Sequence, residues 1–417
     1  MSLPPSESVP APGGLLRQRS FLAFWAGRFL ANLAAQAQTA TIAWQVYSIA
    51  RGRGDVRQAA FAVGLIGLAQ FIPVFALALT AGGVADRHDR RMISLICVGV
   101  EVVTASALAA AAYFGLHAIW PIFGIAVVFG ASRAFLNPAN TALGPMLIPK
   151  SLLPKAVAWN SLAWQTASII GPAMGGLLCA LSPAVSFGVS AALYLASCLS
   201  LLLVSENTRP AAQPGSRWTL AKEGLHYVYT HKIVFGSMSL DLFAVLLGGA
   251  TALLPVYARD ILRVGATGYG VLRAGPAIGA CTVAVLIAVR PIQRKAGLVM
   301  FAGVGAFGLA TLVFALSKSL ALSVAALVVL GAADMLSVYV RQSLVQIATP
   351  DAMRGRVAAV SSVFIGASNE LGEFESGVAA RIWGPIGAAA FGGIGAMIVT
   401  GVWAKLFPEL RNADRLG

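Results

Sequence analysis

"GGVADRHDRR", residues 82–91, gathers two carboxylates (Asp86, Asp89), three guanidiniums (Arg87, Arg90, Arg91) and His88 into one short turn. Long apolar runs flank it on both sides. Over the whole chain only 11% of 417 residues are charged, 58% are hydrophobic, and the mean hydropathy is +0.79. Soluble domains carry about 25% charged residues. A chain this poor in charge cannot cover a globule with polar surface, so it reads as an integral membrane protein. The 44 glycines suit membrane helices that approach closely. Cys97, Cys179, Cys198 and Cys281 are scattered through apolar runs without metal-ligand spacing. They read as packing residues, and no metal, cofactor or disulfide frame is expected.

Outward from the charged turn, a window of about 20 residues gives twelve spans: 21–48, 59–83, 92–114, 119–137, 156–180, 184–204, 233–257, 268–289, 298–317, 319–340, 357–380 and 384–406. An even number puts both termini on one side. That side holds twenty of the thirty Lys and Arg residues, the other holds seven, and Arg28, Arg133 and Arg273 fall inside spans. The bias predicts cytoplasmic termini in a multi-pass protein of the bacterial inner (plasma) membrane. The net charge of +14 then reflects topology and attraction to anionic lipid, so the bilayer is a partner and nucleic acid is not.

The expected organisation is a cytoplasmic tail over 1–20, a six-helix bundle over 21–204, a central cytoplasmic loop over 205–232, a second six-helix bundle over 233–406, and a tail over 407–417. The tail over 1–20 has no apolar core and so no secretory signal. In the central loop, "SENTRPAAQPGSR" reads as linker. "WTLAKEGLHYVYTHK" reads equally well as a short surface helix or as an early start of the next span. The two bundles share a repeat. At an offset of 201, Pro149, Lys155, Ala158, Ser161, Gly171 and Gly176 meet Pro350, Arg356, Ala359, Ser362, Gly372 and Gly377. Each stretch leads from a cytoplasmic loop into an outward-going helix, which points to a duplicated six-helix unit.

With the repeat in view, "GGVADRHDRR" resembles the loop 2–3 signature of the major facilitator superfamily, G-x-x-x-D-R-x-G-R-R/K. Gly82, Asp86, Arg87, Arg90 and Arg91 match it. Asp89 stands in place of the usual glycine, and Asp tolerates a left-handed turn better than most residues. "GPAMGG", Gly171–Gly176, resembles the GPxxGG core typical of the family's antiporters, and Arg133 resembles its intramembrane arginine. "FWAGRFLANLAAQAQTATIAWQVY" and "TPDAMRGRVAAV…GASNELGEFESG" are similar to the drug:proton antiporter branch that includes enterobactin exporters. The resemblance implies an all-α integral membrane fold of twelve transmembrane helices in two six-helix bundles, working as a monomer. It also implies a gating turn, in which Asp86 latches against the positive end of the eleventh span and Arg87, Arg90 and Arg91 pair with carboxylates or lipid phosphate, or only enforce topology.

Charges within spans are costly and mark function by default. Glu101 lies roughly 14 Å along its helix, near mid-membrane, and is expected to pair with Arg133, Arg28 competing. Asp241 and Asp334 fall in the second bundle. Glu370, Glu373 and Glu375 crowd one helix near Arg273. Glu101, Arg133, Asp241, Asp334, Glu370 and Glu373 are therefore the candidates for proton coupling or substrate contact, against a static network as the plainer role. Asn32, Gln36 and Thr39 form a polar stripe expected to line a cavity. Gly171, Pro172, Gly175 and Gly176 allow a hinge in the fifth span, or close packing alone.

No phosphate-binding G-x-x-x-x-G-K-[ST] stretch occurs, so ATP does not drive this chain directly. No catalytic residues are expected. The expected function is proton-coupled efflux of a small amphipathic organic compound, siderophore- or drug-like, by alternating access. An uptake or lipid carrier of the same fold, an integral membrane acyltransferase and a channel are weaker readings.

Overall fold

The computed structural model describes residues 14–414, other than 117, 207, 209–216 and 293. The tail expected over 1–20, the linker inside 205–232 and the tail over 407–417 therefore lie partly outside the described residues. Among the described residues every regular element is helical. After a turn at Leu15–Arg17 come α1 Arg19–Arg51, α2 Val56–Arg87, α3 Arg90–Tyr113, α4 Trp120–Leu143, α5 Leu153–Leu181, α6 Pro183–Leu202 and α7 Arg217–Thr230. Then follow α8 Lys232–Leu247, α9 Leu254–Val256, α10 Gly265–Val289, α11 Ala296–Leu316, α12 Leu320–Ala348, α13 Asp351–Leu406 and α14 Pro408–Arg411.

Local chemistry sets the boundaries. The Asp55 carboxylate accepts from the Gln58 amide at 2.7 Å and opens α2, and Ser182 accepts from the Ala184 amide at 3.2 Å and opens α6. Inside α13 the backbone breaks at Gly384 (φ 77°), a conformation that glycine alone adopts without strain. Pro385 then starts a second arm, so 351–383 and 385–406 are separate helices meeting at that residue. Among the described residues, nine stretches are long and apolar enough to cross a membrane, the last running through Gly384. The protein is a multi-pass membrane protein. α1 and α5, with 33 and 29 residues, have the length but not the apolarity. In α1 the reason is visible: Gln38 and Thr41 are buried against neighbouring helices rather than turned to lipid.

Two sequence expectations change. α12 runs to Ala348, past the expected end at 340, so Arg341 is a buried helix residue and not a loop charge. The span expected over 233–257 instead ends as a helix at Leu247 and continues through tight turns to a π-helical segment, Tyr257–Ile261. Of the two readings for the central loop, the structure has a separate helix, α7, broken from α8 at His231. α7 clips the connection between α12 and α13: Glu223 lies 2.7 Å from Arg356, and the Tyr227 hydroxyl donates to the Ala348 carbonyl at 2.6 Å. Lys232 donates to Glu409 at 2.7 Å, pinning α14 to α8 and holding the Glu409 carboxyl below the usual carboxylate range.

We call the end of the stack carrying residues 19, 87–90 and 406 the terminal face, and the opposite end the distal face. α1 packs on α5 and α6, α2 on α4, and α3 on α4 and α6. α12 packs on α10 and α11, and α13 on α8 and α11. The two groups meet mainly through α2 with α13 and α5 with α10. Glycines make both meetings possible. A Cβ on Gly377 of α13 would sit 2.7 Å from the Cα of Gly64 on α2, and Gly176 of α5 meets Gly270 of α10 backbone to backbone. Five residues earlier, Gly171 lies against α1, where an added Cβ would sit 3.0 Å from the Leu33 carbonyl oxygen, and Gly372 lies against α8, where it would sit 2.9 Å from the Val245 carbonyl oxygen. The repeated glycines, 201 apart, thus serve equivalent contacts in the two groups.

Candidate functional site

The charged turn between α2 and α3 is a set of helix caps. Asp89 has extended backbone (φ −61°, ψ 117°) and its carboxylate accepts from the Arg91 and Met92 amides at 2.9 and 3.2 Å. The left-handed conformation expected for it does not occur, because Asp here acts as the N-cap of α3 and needs β-region backbone. The Thr208 hydroxyl also donates to Asp89. Arg90 donates to the Ala142 carbonyl at 3.1 Å, in the last turn of α4. Arg91 donates to the Leu201 and Leu202 carbonyls at 3.1 and 2.8 Å, at the end of α6. Both arginines satisfy carbonyls that a helix C-terminus leaves open, beside its negative dipole end. Gly82 is buried, Arg87 is exposed, and Asp86, also exposed, lies 3.8 Å from Arg90.

Inside the helices the acids and arginines pair differently from the sequence expectation. Glu101, 2% exposed, accepts from the Ser132 hydroxyl at 3.1 Å. Arg133 does not pair with it; its guanidinium reaches Glu370 on α13 at 2.9 Å, tying the first helix group to the second. One residue's difference along α4 accounts for the change: Ser132 and Arg133 point about 100° apart. Gln70 lies 3.5 Å from the same guanidinium, and Phe129 lies under it at 5.8 Å. Glu373, one turn beyond Glu370, packs at Gly67 of α2 and lies within electrostatic reach of Arg273. Arg273 donates to the Tyr269 hydroxyl at 3.1 Å, and that hydroxyl donates to the Ala40 carbonyl of α1 at 2.9 Å.

A second cluster is buried within the second group. Asp241 of α8 lies 3.3 Å from Arg341 of α12. Asp241, Asp334 and Ser337 line a cavity of about 10 Å³, room for one water-sized occupant.

The distal face is closed by residues the sequence did not single out. The Tyr47 hydroxyl donates to Asp260, Arg51 donates to the same carboxylate at 2.9 Å, and Arg259 donates to the Ser48 carbonyl at 3.2 Å. Trp44 stacks on Tyr269 at 5.2 Å, and Arg381 covers the Phe61 ring at 4.8 Å. Tyr47 and Asp260 are 213 positions apart, so no local spacing could announce them. The spans expected over 21–48 and 233–257 leave Arg51 and Asp260 outside them.

Of the expected cavity stripe, Gln36 donates to Ser168 at 3.4 Å, Asn32 has a buried amide nitrogen without a partner, and Thr39 is half-buried. Gly171 and Gly175 seat α5 on α1, Gly176 seats it on α10, and Pro172 lies inside the helix. These contacts give the glycines a packing role.

Comparison with known proteins fits this architecture. A family model described as a transmembrane secretion effector matches residues 10–416. The enterobactin exporter EntS of Escherichia coli O1:K1 is 28% identical over 366 residues, 85% of this chain and 84% of that protein. Its counterpart in Citrobacter koseri is 27% identical over the same shares. Among solved structures, a POT family transporter in complex with 5-aminolevulinic acid superposes with a TM-score of 0.72 at 13% identity, covering 96% of this chain and 98% of that one. A bacterial homologue of the iron transporter ferroportin in an inward-facing state gives 0.68 at 16% identity, covering 94% and 100%. At those identities the solved structures share the fold alone. The match along nearly the whole sequence, on an all-helical multi-pass scaffold, places this chain in the transmembrane secretion effector family of major facilitator superfamily transporters.

Proposed function

We propose that this transporter exports a small amphipathic organic compound, siderophore- or drug-like, across the bacterial inner membrane in exchange for protons. In this reading the chain makes twelve crossings in two six-helix bundles. Both termini are cytoplasmic, and the terminal face is the inner one. The observation that carries the proposal is the Arg133–Glu370 pair at 2.9 Å, a half-buried ionic tie between α4 and α13 that a proton can undo. When Glu370 takes a proton, its attraction for Arg133 falls and the bundles are freed to separate. When it loses the proton, the tie re-forms. The membrane potential supplies about 2.3 kcal/mol per charge per 100 mV, so proton entry supplies a force of that order.

The distal contacts of Asp260 close one side of the path while substrate enters from the other. In the opposite state the Asp86 latch forms at the start of α13, worth about 0.3–1 kcal/mol and up to ~2 when partly buried. The glycine contacts of α2–α13 and α5–α10 then act as the pivots. The exporter names of the relatives support the outward direction. Asp241, Asp334 and Glu101 are further candidates for the proton.

The test is flux in proteoliposomes loaded with a dye and siderophore panel under an imposed pH gradient. Proton-coupled flux in wild type that is lost in Glu370→Gln at equal insertion supports the proposal. Flux that ignores the gradient, or runs only inward, contradicts it.

A further inference from the structure

Arg28, Arg133, Arg273 and Arg341 lie inside the helix groups, and among the described residues all but Arg28 have partners. Arg133 is held by Glu370, Arg341 by Asp241, and Arg273 by Tyr269 near Glu373. Arg28 of α1 is half-buried and, among the described residues, has no hydrogen bond, ion pair or ring contact. It lies nine residues into α1, about 14 Å along the helix.

Its surroundings are specific. Trp25, Phe29, Asn32, Gln36 and Ala40 recur at three- and four-residue spacing, so they share one face of α1. At the distal end this face meets the second bundle, where the Ala40 carbonyl accepts from Tyr269. Followed toward the terminal face, it becomes an aromatic wall. Trp25 and Phe29 stack at 5.9 Å, with planes 7° apart, and Trp159 of α5 meets Trp25 edge-on at 5.4 Å. Trp25 is fixed in place by donating its indole N–H to the Trp159 carbonyl at 2.9 Å. Arg28 lies one turn from both Trp25 and Asn32, on the edge of the wall. The Asn32 amide nitrogen, a donor, is buried without an acceptor. An unmatched guanidinium and, one helical turn on, an unmatched amide donor therefore stand beside flat aromatic surface; the amide lacks an acceptor and the guanidinium lacks an anionic one.

The geometry points to an anion subsite on α1, in which Arg28 and Asn32 hold the acidic group of the exported compound and Trp25 and Phe29 receive its aromatic body. The substrate class is thus an amphipathic organic acid. This rests on the export reading above and narrows it, since siderophore- or drug-like compounds include cations and neutral molecules. Arg28 suits the task through its planar, weakly hydrated head, which both chelates an acid group and lies along aromatic faces.

The experiment compares three probes of one shape on the purified full-length protein: 2-naphthoate, 2-naphthamide and 2-(aminomethyl)naphthalene. Binding to the folded state raises the thermal midpoint by mass action. The expected result is that naphthoate raises it by several degrees while the amide and the amine do so weakly or not at all. Arg28→Gln should weaken naphthoate about tenfold or more, as for loss of a charge-assisted hydrogen bond, and Arg28→Lys should keep most of the response. Asn32→Ala, which leaves every charge in place, should weaken it less. A wild type that ignores naphthoate, or that answers the amine or amide equally, overturns the subsite. So does an Arg28→Gln protein that binds naphthoate as well as wild type. Proton-driven export of a cation, with Arg28→Gln fully active, would overturn this inference and leave the export proposal standing. Binding of naphthoate through Arg28 without any proton-linked flux would do the reverse.

Discussion

Asp260 shows how much one carboxylate can control. It accepts from both Tyr47 and Arg51, on the helix that starts the chain, from a π-helical segment in the second half. Such segments often mark functional positions. Asp260→Asn removes the charge while keeping the shape. Its expected effect is a distal face that opens about tenfold more often, the size set by one lost charged hydrogen bond. The measurement is the rate at which a bulky thiol reagent modifies a cysteine placed at Ala40. An unchanged rate would mean that the pair does not govern closure. Asp89 gives a second prediction at this scale. As the N-cap of α3, its replacement by Ala should lower stability by about 1 kcal/mol, by Gly only a few tenths, and by Asn hardly at all. Thermal unfolding in detergent reads the order. If Gly were worse than Ala, the capping account of this turn would be wrong.

At the scale of elements, the repeated glycines carry the sharpest expectation. Gly377→Val and Gly176→Val both force side chains into the backbone of the opposing helix, at Gly64 and Gly270. Overpacking of this kind costs about 1–3 kcal/mol. Because the two sites are equivalent, the two variants should lose transport to a similar degree. Gly401→Ala, where an added Cβ meets nothing within 4 Å, is the matched control and should be neutral or slightly stabilising. A Gly377→Val protein with full activity would remove the pivot from the account.

The helices were legible in the sequence because hydropathy reports burial in lipid directly; the expected gap at 381–383 stops just short of the break, which falls at Gly384 because glycine takes its φ of 77° without strain. The repeat was legible because glycine at a helix contact cannot be exchanged freely. Arg341 was misplaced for the same reason that hydropathy works: a window ends at a charge, whether the charge leaves the membrane or is matched inside it by Asp241. The partner of Arg133 was missed because only the fold brings α4 to α13. Arg28 was noticed as an intramembrane charge, but its lack of a partner is a property of the packed molecule.

For the whole molecule, the contacts described at the distal face are direct and cross from one helix group to the other. At the terminal face, the contacts of Arg90 and Arg91 stay within the first group. A transporter that worked as a rigid pore would need no such asymmetry. Two conformations exchanging across the pivots do need it, because a ligand or proton moves such a system only by binding one state better than the other. Removing the Glu370 charge should therefore shift the population, since it weakens a tie present in the distal-closed state.

Spin-label distances test this directly. One pair sits at Gly52 and Thr267, across the distal face, and one at His88 and Gly355, across the terminal face. The account predicts that in Glu370→Gln, relative to wild type, the first distance lengthens and the second shortens in the same fraction of molecules. Two distances that keep their wild-type values in Glu370→Gln, or that lengthen together, would contradict it.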